Sequence, residues 1–97
     1  MAKGYWIARM TVNDPTEYQK YLAAAADAFK RHGAKFVVRG GRAQPLEGAG
    51  RERNIVIEFT DFDAAMACYN DPDYQAAAKI RQAAATGELI VVEGYDG

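Results

Sequence analysis

The tripeptide Asn-Asp-Pro occurs twice, at 13–15 and at 70–72, each time just ahead of an alanine-rich run. Aspartate followed by proline starts a helix for a physical reason. The carboxylate accepts from the free N–H groups of the first turn, and proline at the first helical position forfeits an N–H that would be unpaired anyway. The chain therefore commits to two helices, and everything else must be arranged around them. After Asp14, with Glu17 three residues on, the pattern predicts a helix to about His32, stopped by Gly33. Tyr18, Tyr21, Leu22, Ala25, Ala28, Phe29 and His32 form its apolar stripe, with Lys20, Asp27, Lys30 and Arg31 opposite. After Asp71 a second long helix is predicted to last until Thr86-Gly87. A short one, 61–69, precedes it, with Phe62, Ala65, Met66 and Tyr69 on one face.

The intervening segments read as strands. Residues 4–12 alternate between Trp6, Ala8, Met10, Val12 and Tyr5, Ile7, Arg9, Thr11; further strands are predicted at 34–40, 53–60 and 88–94. The Gly-, Pro- and Arg-containing stretch 41–52 between the second and third reads as a long, mobile hairpin arm. The order β-α-β-β-α-β, its second helical connection broken at Asp71-Pro72, gives an α+β, ferredoxin-like layer across a single domain, 1–97. Its four strands form an antiparallel sheet that carries the helices on one face. The repeated Asn-Asp-Pro is explained either by a duplication or by two helices needing the same cap.

Helices on one face leave the other bare, so the strands should alternate cleanly between apolar and polar residues. They do not. Trp6, Met10, Phe36, Val38, Ile55, Ile57 and Phe59 suit the helix side, yet Tyr5, Ile7, Val37 and Val56 stand on the other, and Leu89, Ile90, Val91 and Val92 make both faces of the last strand apolar. A symmetric partner would cover that face, so a homodimer, sheet against sheet, is expected. Arg9, Arg39 and Glu58 fall on this outer side, with Glu58 between the arginines in the usual strand order. They read either as an ion cluster fixing register and dimer geometry or as anion-reading groups at a pocket edge.

Several function classes are disfavoured by composition. Net charge is -1 and the pI about 5.8, without the basic excess of a nucleic-acid binder. The opening residues 1–12 contain no long apolar stretch, so neither a signal peptide nor a membrane span is expected. One cysteine, Cys68, excludes an internal disulfide, and the cytoplasm is the expected compartment. One histidine, one cysteine and no carboxylates at ligand spacing give no metal site, and no cofactor is expected. Arg39, Arg42, Arg51 and Arg53 among the glycines of 40–50 do not make a phosphate loop, because that needs a helix start where this chain goes from strand to strand.

Tyr74 and Arg81 are the conspicuous large residues of the last helix. Seven positions apart, they project within about 20° of each other. On the wheel they fall with Ala78 and Ala85 at the border between a core arc (Ala76, Ala77, Ile80, Ala83, Ala84) and a wet arc (Gln75, Lys79, Gln82). A phenol and a guanidinium separated by alanines would suit a small carboxylate or an enol. Alternatively Arg81 pairs with a nearby acid and Tyr74 packs on the rim.

The segments 32–41 (HGAKFVVRGG), 46–48 (LEG), 53–59 (RNIVIEF), 68–81 (CYNDPDYQAAAKIR) and 92–97 (VEGYDG) together resemble the small bacterial proteins grouped as domain of unknown function family 1330, of the dimeric α/β-barrel superfamily. The likeness runs over essentially the whole chain. This chain has Gly33-Ala34 where members often have a second glycine, and Cys68 where they often have tryptophan. The resemblance implies the fold and the dimer and supplies no function. Some members of the superfamily degrade haem or are cofactor-independent monooxygenases, so His32 reads either as a proton carrier or haem ligand, or as a half-buried residue meeting a helix end.

The expectation is a homodimer whose protomers bind or convert a small organic, possibly anionic, molecule in a metal-free pocket between sheet and helices. Its ligand-binding candidates are Arg39, Tyr69, Tyr74 and Arg81, and the ionisable candidates for proton transfer or oxygenation are His32, Glu58, Tyr74 and Arg81. The rival is a non-catalytic dimeric assembly module.

Overall fold

A computed structural model describes residues 2–97. Its elements are β1 (Gly4–Val12), α1 (Pro15–Arg31), β2 (Lys35–Arg39), β3 (Arg53–Phe59), α2 (Phe62–Asn70), α3 (Pro72–Ala84) and β4 (Ala85–Glu93). The fold is α+β and ferredoxin-like, with one antiparallel sheet in the order β2-β3-β1-β4.

All three helices begin on an aspartate. Asp14 accepts from the Glu17 N–H, Asp61 from Ala64 and Asp71 from Asp73. Pro15 and Pro72 occupy the first turns of α1 and α3. At the end of α1, Gly33 takes a φ of 70°, a conformation that leaves glycine as the natural residue there.

The core lies between the sheet and α1, α2 and α3. Trp6 is its centre. Its indole N–H donates to the Ala65 carbonyl at 2.9 Å, and Tyr74, Phe29, Phe59 and Tyr69 surround it with ring centroids 4.9 to 5.9 Å away. Edge-on and tilted contacts at such spacing add to the stabilisation from burial. α2 sits close over β1, so a Cβ on Gly4 would lie 2.2 Å from the Asp61 carbonyl oxygen.

The structure corrects three local expectations. First, α3 stops at Ala84, and the sequence expected to complete it begins β4. The N–H groups of Asn13 and Asp14 both donate to the Ala84 carbonyl, while β1 offers Thr11 and Val12 as partners for Thr86 and Ala85. Strand pairing therefore captures residues that a local pattern leaves helical. Second, the buried face of α3 is Tyr74, Ala77, Ala78, Arg81 and Ala84, whereas Ala76 and Ala83 are exposed. So many alanines give the wheel almost no direction, and packing on α1 sets the azimuth instead. Third, β2 carries a bulge between Phe36 and Val38, so Val38 pairs with Val56 and turns outward while Arg39 pairs with Ile55 and turns to the helix side. Arg39 thus leaves the outer face, and Arg9, Arg39 and Glu58 do not form one cluster. Glu58 pairs instead with Lys3 at 3.2 Å.

The arm after β2 returns to the sheet through Arg51. Its guanidinium grips both Glu88 oxygens (2.9 and 2.8 Å) and the Thr11 hydroxyl (2.9 Å), and the next residue, Glu52, accepts from the Val12 N–H.

α1 and α3 are clasped at both ends. Ala84 holds the start of α1, and Asp71, at the start of α3, receives Arg31 and His32 from the end of α1, each at 2.8 Å. His32, Arg31 and the Asp73 N–H hold the Asp71 carboxyl well below its ordinary value of 3.8. A depressed carboxylate contributes stability that is present above its unfolded value and is lost as pH falls toward the folded one. Parent and Asp71→Asn, which keeps a capping oxygen but loses the charge, should therefore differ clearly in thermal midpoint at neutral pH and converge below about pH 4. A gap that persists undiminished in acid would assign the effect to something other than the carboxylate charge.

Candidate functional site

The side chains that α1 and α3 turn toward the sheet enclose a narrow cleft of about 20 Å³. It admits about one water molecule in this conformation. Fourteen residues line it, from all four strands and both long helices. Trp6, Met10, Phe29, Phe36, Ile55 and Ile57 make the walls apolar. The polar groups are the Trp6 indole, already engaged by Ala65, the phenols of Tyr18, Tyr21 and Tyr74, and the guanidiniums of Arg53 and Arg81. No lining residue is an acid, an amide or a histidine.

Each of these groups is placed by a simple local rule. Tyr18 and Tyr21 are one turn apart on α1, with ring centroids 5.5 Å apart, and both face the sheet. Tyr74, wholly buried in the first turn of α3, meets Tyr21 hydroxyl to hydroxyl at 2.9 Å. Two turns later on the same face comes Arg81, only 8% exposed, with its guanidinium carbon 5.6 Å from the Tyr21 ring centre. Arg53 enters from the start of β3, where it shares the parity of Ile55, Ile57 and Phe59, and its guanidinium carbon lies 5.1 Å from the Tyr18 ring centre. Each cation thus stands over one tyrosine of a neighbouring pair.

Burial pushes the Tyr21 phenol far above its ordinary value, and proximity to Tyr74 adds to this. Burial also raises Tyr74, although the Tyr21 hydroxyl and Arg81 pull the other way. Both phenols hold their protons at neutral pH and act as hydrogen-bond donors. In the pair one proton is spent on the partner oxygen, leaving one phenol proton uncommitted beside Arg81, whose guanidinium interacts with both phenols.

Of the residues singled out in the sequence, Tyr74 and Arg81 come together here. Tyr69 packs on Trp6 and Tyr74, each at 5.9 Å between centroids, and does not line the cleft. Arg39 lies over the Phe36 ring at 4.1 Å, on an outer groove shared with Leu22 and Phe29. His32 is tied to Asp71 at the helix ends, and Glu58 is on the opposite sheet face with Lys3. Cys68 is buried, and burial pushes its thiol up to about 12, which leaves it unreactive. Among the described residues no three of His, Cys, Asp and Glu gather as a metal ion would require. Sequence reasoning placed Tyr18 and Tyr21 in the apolar stripe without a site role and left Arg53 in the arginine-rich arm. The missed signal was parity, since Arg53 alternates in step with the buried half of β3.

Comparison with known proteins places this geometry. The model of a domain of unknown function, DUF1330, matches residues 3–95. The chain belongs to this family. No curated protein matches it. Among solved structures, a protein of unknown function from Rhodopseudomonas palustris is 22% identical with a TM-score of 0.80, over 99% of this chain and 85% of that one. SnoaB, a cofactor-independent oxygenase from Streptomyces nogalater, is 21% identical with a TM-score of 0.63, over 100% and 97%. A dimeric ferredoxin-like protein of unknown function from Thermobifida fusca is 17% identical with a TM-score of 0.54, over 95% and 89%. These likenesses concern the fold.

Arg81 is nearly buried, yet its electrostatic neighbours are phenols and no ion pair to it forms among the described residues. A guanidinium whose partner is an internal carboxylate costs roughly 3 to 5 kcal/mol when that pair is broken. No such pair forms among the described residues. Arg81→Met, which keeps the apolar stem, should leave denaturant stability within about 1 kcal/mol of the parent or raise it. A loss on the ion-pair scale would show that Arg81 has an essential structural partner.

Proposed function

We propose that this protein binds or converts a small organic anion with a flat apolar body in the cleft between α1, α3 and the sheet. The observation that carries this reading is Arg81, a buried positive charge facing an aromatic cavity in which no residue is negative. A buried cation demands a counter-charge, and a site that lacks one in the chain is built to receive it from outside. The narrow cleft must widen to admit such a molecule, and Leu22, Phe36 and Leu89, all only partly buried, are the apolar wall residues freest to move. SnoaB, an oxygenase that works without a cofactor, gives an example of this fold carrying out chemistry with protein groups and substrate alone, and we place oxygenation or proton transfer on an ionised substrate among the reactions open to this chain.

The protein is further proposed to act as a cytoplasmic homodimer of single-domain chains. Support comes from the open sheet face, where Val38, Val56, Ile7 and Ile90 make a continuous apolar row across all four strands, flanked by Tyr5 and Val92. The Thermobifida fusca neighbour is described as dimeric. No helix is long and apolar enough to cross a membrane. The same apolar row favours the second reading, an assembly module whose function is the interface itself.

Ligand response separates the two. Para-hydroxybenzoate, a small flat anion, at about a hundred times its dissociation constant should add about 2.7 kcal/mol to the parent's stability and raise its melting temperature by several degrees. Arg81→Lys, which keeps the charge but loses the planar fork, should bind it more weakly, and Arg81→Met more weakly still. An assembly module would show no such shift in the parent.

For the dimer, light scattering should give twice the 10.6 kDa chain mass. Val56→Asp would strand a charge in the row and should yield monomers or insoluble protein. A parent that stays monomeric at high concentration would exclude the interface.

A further inference from the structure

The cleft has a second cation, and its position says more about the ligand. Arg53 and Tyr18 line the inner cleft and also an open groove outside it, beside Val12, Gln19, Gly40 and Glu52. They stand between the two spaces, and this groove side is taken as the mouth. Glu52 in that groove is already engaged by the Val12 N–H at 3.0 Å, and no ion pair links it to Arg53 among the described residues. The outer nitrogens of Arg53 pack so closely under Gly40 that a Cβ there would lie 2.8 Å from Nη1. The remaining nitrogen, Nε, is buried and has no hydrogen-bond partner. A buried, unsatisfied donor on a cation is expensive to maintain without a purpose.

The inner end is chemically different. There a phenol pair offers one free proton beside the Arg81 guanidinium, with no carboxylate or imidazole in the lining. One free phenol proton and a guanidinium suit a single ionised oxygen, such as an enolate or phenolate, because each hydrogen bond is strengthened by the charge it meets. The mouth, with an arginine edge, suits a carboxylate. Between them the walls are aromatic and aliphatic.

We propose that the cleft recognises a two-ended substrate class, an aromatic or enolic acid that presents its carboxylate to Arg53 at the mouth and an enolate or phenolate oxygen to Tyr21, Tyr74 and Arg81 within. This rests on the anion-binding reading above and deepens it. A further consequence follows from the lining. With no acid, amide or histidine in the cleft, the protein has no group there to take the proton, so the substrate's O–H proton leaves to water and the substrate is held as the ionised form. The site selects compounds that ionise readily.

Three probes separate the two ends: benzoate carries only the carboxylate, para-nitrophenol only the acidic hydroxyl, and para-hydroxybenzoate both. With the parent, para-hydroxybenzoate should bind about tenfold or more tighter than benzoate, the increment of one added charge-assisted contact. Para-nitrophenol should bind as its coloured anion, its absorbance titration moving to lower pH in the presence of protein. Arg53→Gln should weaken benzoate and para-hydroxybenzoate while sparing para-nitrophenol. Tyr21→Phe and Tyr74→Phe should reduce the shift in the para-nitrophenol titration while sparing benzoate. If benzoate binds through Arg81 but para-hydroxybenzoate gains nothing over it, or Arg53→Gln weakens all three alike, the two-ended assignment is wrong and the simpler anion site stands. If none of the three binds the parent, both fail.

Discussion

The clasp between α1 and α3 is the interaction on which the site depends. Two helices crossing a sheet can slide or splay, and a pair rich in alanine has few large side chains to lock its register. Here both ends are tied. The Ala84 carbonyl holds the amides that lead into α1, while Asp71 gathers Arg31, His32 and its own helix N-terminus on one carboxylate. With register fixed at both ends, Tyr21 in the second turn of α1 can come to rest against Tyr74 in the first turn of α3. A shift of one helical turn, about 5.4 Å, would separate those hydroxyls altogether. Fold and site share a single constraint.

That arrangement makes the cleft electrostatically one-sided. Most buried charges in proteins are matched by a neighbour of opposite sign. The lining of this cleft has two guanidiniums, softened by the faces of Tyr18 and Tyr21 and by nothing acidic. Cation–π contacts are weaker than ion pairs in such surroundings, so they hold the cations without satisfying them. A site of this type is easily missed in a charge count, because the net charge of the chain is -1 and the acids lie elsewhere, among them those at the helix starts, in the arm after β2 and on β3 and β4.

The layer architecture was legible because its signals are local and strong: Asp-Pro at two helix starts, period-two strands, and a glycine where α1 must end. The family resemblance, carried by long segments, pointed to the same fold. What could not be read was anything set by contacts between elements. The bulge in β2 arises only when Phe36 and Val38 meet β3, and it carries Val38 and Arg39 to sides opposite those that simple alternation gives. The face of α3 was obscured by alanine, which packs or faces water at little cost and so points nowhere. Arg53 was the opposite case. Its parity with Ile55 was visible in the sequence, but an arginine next to a loop of arginines invites being read as part of that loop.

The bulge also bears on how copies of the chain can meet. A sheet has two edges, and open-ended stacking by strand addition needs both to accept a neighbour. At one edge, β2 is five residues long, kinked at Val37 and bounded by Lys35 and Arg39, a poor template for a further strand. The other edge, β4, runs straight for nine residues. With one edge blunted, growth along the sheet would stop after two copies joined through β4, since neither would then offer a competent edge. Fibre formation from the folded protein is thereby cut off at its second step.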